Sequence, residues 1–77
     1  MNSALSEKEH EEIVKELTEK YVGKTYAYTD NSEAFTIKRV LVDYGRDRQY
    51  MNRLEDDFGR IWFILEIEDA TCLKEVV

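Results

Sequence analysis

The sequence predicts one α+β domain, in which an N-terminal amphipathic helix precedes a four- to five-stranded antiparallel sheet. Three observations lead to this prediction. The chain has 77 residues, which is enough for a single domain with one modest core. Apolar residues recur with the period of a helix up to Gly23, and beyond it they alternate with the period of a strand. We therefore treat residues 1–77 as one domain.

The predicted helix has a start signal and a stop signal. Ser6 is followed three residues later by Glu9, the pairing of a capping box. Gly23 takes at low cost the left-handed conformation that ends many helices, and residues 1–5 are expected to fray. One side of this helix carries the stripe expected to face the core: His10, Ile13, Val14, Leu17 and Tyr21.

Five strands are predicted after the helix, at residues 24–29, 34–43, 48–55, 60–68 and 72–77, with polar or glycine-containing turns before the second, third and fourth. The fourth strand holds the only Trp of the chain. Alternation predicts that it turns Ile61, Phe63, Leu65 and Ile67 toward the core and Trp62, Ile64, Glu66 and Glu68 toward the opposite surface. The sheet either curls into a barrel or lies open with the helix on one face.

The layout of residues 23–77 resembles small SH3-like barrels. The resemblance rests on short meandering strands with Gly45 and Gly59 at two turns, ending in Trp62-Phe63 and residues 73–76. Barrels of this kind support many functions, so the resemblance implies a fold and no activity.

The formal charge of −6 is unevenly distributed. Residues 7–20 carry a net −3, residues 21–54 a net +2 and residues 55–77 a net −5, which sum to −6. This balance argues against direct binding of duplex nucleic acid, which is bound through Lys and Arg, and is compatible with a basic partner. A lone cysteine and no run long enough to cross a bilayer predict a cytoplasmic, non-membrane protein. Because a core of this size gives little net stability, a homodimer is one further source of it.

Catalysis has little support in the sequence. A Cys72–His10 dyad would need the helix to pack beside the last strand and an activated thiol. The carboxylate pairs Asp56–Asp57 and Glu66–Glu68 would need a concave, partly dry site. We predict that the protein is not an enzyme and that it uses no metal or other cofactor.

A carboxylate surface with one aromatic anchor is the leading candidate for a site, and it predicts binding to a basic protein. The predicted partner-binding residues are Glu9, Glu12, Glu16, Glu19, Glu55, Asp56, Asp57, Trp62, Glu66, Glu68 and Asp69. The hypothesis requires that the acids converge into one patch with Trp62 at its edge. The competing interpretation is that the acids only keep a small domain soluble.

In size, charge, lack of cysteine pairs and absence of catalytic motifs, the chain resembles small acidic bacteriophage proteins that block host factors by imitating DNA. The resemblance implies a non-enzymatic inhibitor whose partner is a basic host protein, DNA-binding or nucleoid-associated. The net positive middle third departs from that pattern and would confine any mimicry to one side of the molecule.

An alternative function comes from that middle third, where aromatic and basic residues interleave. Aromatic rings stack on bases and Arg side chains bind phosphates, so a module that binds or sequesters a nucleotide or cyclic oligonucleotide is the alternative hypothesis. Its predicted site residues are Tyr44, Arg46, Arg48, Tyr50, Arg53 and Arg60. The competing interpretation is that these arginines pair with nearby aspartates and that Tyr44 and Tyr50 are half-buried.

Overall fold

The computed structural model describes residues 4–76 and confirms the α+β class, with one helix followed by a five-stranded antiparallel sheet. Helix α1 comprises Glu7–Tyr21. Its capping box is formed as the sequence predicts. The Ser6 hydroxyl accepts from the Glu9 amide at 3.2 Å, and the Glu9 carboxylate accepts from the Ser6 amide at 3.2 Å. The helix ends before Gly23, whose φ of +90° is strained for residues with a side chain.

The remaining elements are five strands, one short α-helix and one 3₁₀ helix. In chain order they are β1 (Thr25–Tyr28), β2 (Ala34–Leu41), a 3₁₀ helix (Arg46–Met51), β3 (Arg53–Asp56), β4 (Ile61–Phe63), α2 (Ile64–Asp69) and β5 (Leu73–Val76). Strands β1, β2 and β5 lie inside or close to the predicted ranges. The predicted last residue of the fifth strand, Val77, falls outside the described residues.

The strand order is β4-β3-β2-β1-β5, so the last strand returns to pair with the first. In register, Tyr26 lies opposite Phe35 on β2 and Glu75 on β5. Within residues 4–76 no ladder joins β4 to β5, which leaves these two strands at the edges of the sheet.

The core lies between α1, the inner face of the sheet and α2. Phe35, Ile37 and Leu54 are the large side chains that are fully buried. Tyr21 from α1 and Ile67 from α2 join them, and Leu17 packs against the cluster. Leu17 and Tyr21 of the predicted α1 stripe therefore pack on the core, whereas His10 of that stripe stacks on Tyr44. Leu5 is also buried and its amide donates to the Tyr44 carbonyl at 2.7 Å, so the expected fraying does not extend to Leu5.

The prediction of a strand at residues 48–55 is wrong in its first half. Side-chain hydrogen bonds fold this part of the chain into the 3₁₀ helix instead, and only Arg53–Asp56 form strand β3. The Gln49 amide nitrogen donates to the carbonyls of Asp43 and Gly45 at 2.9 and 2.8 Å, and the Asn52 side-chain oxygen accepts from the Asp43 amide at 2.9 Å. Such bonds offer the backbone an alternative to a sheet ladder.

The prediction of a nine-residue strand at residues 60–68 is also wrong, and the faces that it assigned to Ile61–Leu65 are reversed. The strand ends at Phe63 and the chain turns into α2. Trp62 and Ile64 pack against the core, whereas Ile61, Phe63 and Leu65 are exposed. Ile67 is buried as predicted, but it belongs to the helix. The register explains the reversal, because Trp62 lies opposite the buried Leu54.

Candidate functional site

An open hollow of about 390 Å³ is bounded by α2, by the connection from α2 to β5 and by residues of β1 and β4. We call it the Trp62 hollow. It is lined by Tyr28, Trp62, Leu65, Glu66, Asp69, Ala70, Cys72 and Leu73. Its lining is mostly apolar, with two carboxylates, as in sites that bind a partner through a few placed polar groups.

Trp62 is held in place from two sides. Its ring stacks on Phe35 with centroids 4.8 Å apart and an interplanar angle of 7°. Its indole N–H donates to Asp56 Oδ2 at 2.9 Å. Trp62 therefore borders the hollow from a fixed position while much of its ring belongs to the core.

The two carboxylates of the hollow come from α2, where Glu66 and Asp69 are three residues apart and lie on one side of the helix. Glu66 Oε1 accepts from the Phe63 amide at 2.9 Å and so caps the helix start. In the described part of the chain, the Asp69 carboxylate has no hydrogen bond or ion pair. The structure thus brings three of the predicted partner-binding residues, Trp62, Glu66 and Asp69, around one concavity.

Glu68 lies away from the hollow, against the end of α1. Its carboxylate accepts from the Tyr21 hydroxyl and lies 3.5 Å from Lys20 Nζ. The hydrogen bond from Tyr21, more than the nearby Lys20 charge, lowers the pKa of Glu68. Glu68 therefore joins α2 to the last turn of α1.

Four other predicted acids make contacts within the fold and do not line the hollow. Glu9 binds the guanidinium of Arg46, with Nη1–Oε2 at 2.7 Å, and Glu55 binds Arg39, with Nε–Oε1 at 2.5 Å. Asp57 is exposed and accepts from the Thr36 amide at 3.1 Å. Asp56 differs from them because its side chain is fully buried.

The buried Asp56 carboxylate is the centre of a hydrogen-bond network. Oδ1 accepts from the amides of Phe58 and Arg60, both at 2.9 Å, and Oδ2 accepts from Arg60 Nε at 2.8 Å and from Trp62. Burial acts to raise the pKa of Asp56, but the hydrogen bonds from Trp62 and Arg60 outweigh it and lower that pKa. The geometry gives Asp56 contacts that stabilise the turn between β3 and β4.

The remaining predicted acids, Glu12, Glu16 and Glu19, are exposed on α1. Their spacing of four and three residues puts them on one side of the helix. None of the three side chains forms an ion pair with another residue of 4–76.

The Tyr and Arg residues of the alternative hypothesis divide into two groups. Arg46 is bound to Glu9, and Tyr44 stacks on His10 with centroids 3.8 Å apart. Arg60 binds Asp56 and also Glu33, with Nη1–Oε1 at 2.6 Å. By contrast Arg48, Tyr50 and Arg53 are exposed, and their side chains have no hydrogen bond or ion pair within the described residues.

Neither of the two catalytic arrangements considered from the sequence is assembled. His10 Nε2 donates to the Val42 carbonyl at 3.1 Å, and its ring lies on Tyr44, whereas Cys72 is exposed at the hollow. Across residues 4–76 no group of three or more His, Cys, Asp or Glu side chains is arranged to hold a metal ion.

Five lining residues of the Trp62 hollow are absent from the sequence-based set: Tyr28, Leu65, Ala70, Cys72 and Leu73. They come from β1, α2, β5 and the connection between α2 and β5, and Tyr28 meets Leu73 because β5 pairs with β1. No local pattern in the sequence marks them as a group.

No helix within residues 4–76 combines the length and the apolar character that a bilayer crossing requires. Searches with this chain found no matching protein-family model, curated protein or solved structure.

Proposed function

We propose that this protein is a non-enzymatic binding protein that recognises a basic segment of another protein at the Trp62 hollow. The observation that carries the proposal is the placement of Trp62, Glu66 and Asp69 around one mostly apolar concavity. An aromatic wall with carboxylates beside it matches a Lys or Arg side chain, because that side chain combines an apolar stem with a cationic head.

The exposed carboxylates of α1 offer such a partner a second set of negative groups. Glu12, Glu16 and Glu19 have no cation bound to them within residues 4–76, so pairing with a partner would not require an internal ion pair to break. DNA-binding proteins present Lys and Arg for phosphates, and separated carboxylates can take the place of those phosphates. The partner class that we propose is therefore a basic, DNA-binding host protein, bound at the Trp62 hollow and not through one continuous DNA-mimicking patch, because Glu9, Glu55 and Asp56 are bound to arginines within the fold.

The test uses the only Trp of the chain as a reporter. Short peptides rich in Lys, each with one large apolar residue, are titrated into the protein while Trp62 fluorescence is recorded. We expect a saturable change in emission that weakens as salt rises, because part of the attraction is between exposed charges. The substitution Asp69→Lys should weaken binding about tenfold.

Asp69→Lys is suited to this test because Asp69 supports no contact of the described fold. The matched control is Glu11→Lys, an equal charge reversal on an exposed residue of α1. A pull-down from bacterial lysate at two salt concentrations, with wild-type and Asp69→Lys protein as bait, then identifies the partner. Equal binding by wild type and Asp69→Lys, in both peptide titration and pull-down, would contradict the proposal.

A second candidate function is nucleotide binding by the three residues of the alternative set that remain free. Arg48 and Tyr50 lie in the 3₁₀ helix and Arg53 begins β3, so the three are close in sequence. Tyr50 is 66% exposed, which leaves its ring available for stacking on a base.

A further inference from the structure

The outer face of strands β2, β3 and β4 carries apolar residues that the fold does not bury. The register places Leu41, Arg53 and Phe63 in one row across the three strands, and Arg39, Glu55 and Ile61 in the next. We call these six residues the outer face. Ile61 is 45% exposed and Phe63 is 39% exposed, so two large apolar side chains lie side by side toward solvent.

This face is separate from the Trp62 hollow. Side chains alternate along a strand, and the buried Leu54 directly opposite Trp62 marks the inner side. Ile61 and Phe63 therefore extend from the opposite side of β4. Neither residue lines the hollow.

We infer that two copies of this chain associate through their outer faces, related by a twofold axis. The axis that fits lies midway between the two sheets and parallel to both. It runs perpendicular to the strands and passes over Leu54 of β3. A rotation of 180° about it exchanges the two rows, so each residue of one row meets the residue on the same strand in the other row. A twofold contact must be self-complementary in this way.

The exchange of rows pairs compatible side chains on β3 and β4, and on β2 it puts Leu41 opposite Arg39. On β4 Ile61 of one copy meets Phe63 of the other, which buries both apolar groups. On β3 Arg53 meets Glu55 of the other copy, and this ion pair forms twice. Glu55 already binds Arg39, and a carboxylate has acceptor sites for both guanidinium groups.

The charge of the face favours a second copy as its occupant. The six residues include two arginines and one glutamate, a net +1 on a chain whose net charge is −6. Two acidic chains repel each other across most of their surfaces, and at this face the Glu55 of each copy lies opposite Arg53 of the other, which offsets part of that repulsion. Aromatic residues and Arg are also enriched where proteins associate.

The small core provides a reason for association. Only three large side chains of the described fold are fully buried, Phe35, Ile37 and Leu54. Two sheets that pack face to face stand about 10 Å apart with side chains interdigitated, so dimerisation would add a second apolar layer.

The test is sedimentation over a range of concentrations, with the 9.2 kDa chain as the reference for a monomer. We expect wild type to reach twice that mass reversibly. Arg53→Glu and Glu55→Arg should each raise the dimer dissociation constant about tenfold or more, because each puts like charges opposite each other at two places. Arg48→Glu, an equal charge change outside the face, should leave the dissociation constant unchanged.

Mixing the two weakened variants provides the decisive readout. In a heterodimer of R53E and E55R, both cross-copy pairs unite opposite charges, so the mixture should dimerise more tightly than either variant alone. A folding defect in either variant would not be rescued in this way. Three sedimentation results would each overturn the inference: a wild-type chain that stays monomeric, a mixture that stays monomeric, or dimers that are insensitive to Arg53→Glu. Binding of single-stranded nucleic acid to the outer face of a monomeric chain would also overturn it.

Discussion

The indole N–H of Trp62 donates to Oδ2 of Asp56 at 2.9 Å, and the Asp56 side chain is fully buried. Two residues that the sequence suggests as parts of one recognition surface are thus bonded to each other inside the fold. The bond fixes Trp62 where its ring covers Phe35 and still borders the hollow. Asp56 therefore acts on the candidate site by positioning the residue that lines it.

The first prediction compares Asp56→Ala with Asp57→Ala. We expect Asp56→Ala to lower the free energy of unfolding by about 2–4 kcal/mol, because it leaves the Trp62 N–H and the Arg60 guanidinium without their buried acceptor. Asp57→Ala removes one exposed hydrogen bond and should cost less than about 1 kcal/mol. Urea denaturation measures both.

The two aspartates are adjacent, identical in type and indistinguishable by local sequence pattern. Equal losses for the two variants would show that the buried Asp56 network stabilises the fold no more than the exposed Asp57 hydrogen bond does. A shift in Trp62 emission in Asp56→Ala alone would confirm that the network also positions the indole.

Local signals in the sequence predict the first half of the fold well. The capping box at Ser6 and the stop at Gly23 fix the helix, and the Asp30–Ser32 turn is formed, with Asn31 at a φ of +61° and the Ser32 amide bonded to Asp30. These features depend on neighbours in sequence, so periodicity and turn chemistry are enough to find them.

The second half depends on contacts that periodicity does not contain. The apolar run from Ile61 to Leu65 fits a strand and a helix equally well. The choice is made by Glu66, which caps the start of α2, and by Ile64 and Ile67, whose spacing of three residues faces the core only in a helix. Ile61 and Phe63 are exposed because Trp62, which lies opposite the buried Leu54, takes the inner face of β4.

The candidate site was also predictable only in part, because some of its residues are neighbours in sequence and others meet only through strand pairing. Asp69, Glu66 and Trp62 are close in sequence, and their proximity in space follows from the short helix that joins them. The lining residues Tyr28 and Leu73 arrive through the pairing of β1 with β5, which has no local signal. The acids of the set do not form one patch, because Glu9, Glu55 and Asp56 are each bound to an arginine elsewhere in the fold.

The second prediction concerns alkaline pH and the Tyr21–Glu68 hydrogen bond. Burial, together with the bond to Glu68, raises the pKa of the Tyr21 hydroxyl above its ordinary value of 10. The stability that depends on the neutral phenol is fully present below pH 10 and is lost as pH rises toward the folded-state pKa. We expect the free energy of unfolding to decline above about pH 10, and to decline less in Tyr21→Phe.

Tyr50→Phe is the matched control, because Tyr50 is 66% exposed and its side chain has no hydrogen bond within the described residues. Thermal melts across alkaline pH give the slopes. An unchanged slope in Tyr21→Phe would show that Tyr21 does not govern the alkaline transition. Tyr26, whose pKa is also raised by burial, leaves a residual slope in that variant.

The third prediction concerns acid and the Glu9–Arg46 ion pair. Hydrogen bonds from Arg46 and then from Ser6 lower the pKa of Glu9 from 4.5 to about 2. The stabilising effect is present above pH 4.5 and is lost as pH falls through 2. In Arg46→Ala we expect the Glu9 pKa, measured by NMR titration, to rise toward 4.5, and stability to depend less on pH below that value. A Glu9 pKa unchanged by the substitution would contradict the assignment of its main cause.

The fourth prediction tests the second candidate function by thermal stabilisation with a panel of nucleotides and cyclic oligonucleotides. A ligand at about 100 times its dissociation constant stabilises the native state by about 2.7 kcal/mol. For a domain of this size that raises Tm by roughly 10 °C or more, well above the error of a melt.

Arg48→Ala and Tyr50→Ala should abolish the shift, because these exposed side chains would supply the phosphate contact and the stacking ring. Arg46→Ala should leave it unchanged, since Arg46 is already bound to Glu9. If no member of the panel raises Tm, the second candidate is excluded for the ligands tested, and the free Arg48 and Tyr50 side chains need no nucleotide to explain them.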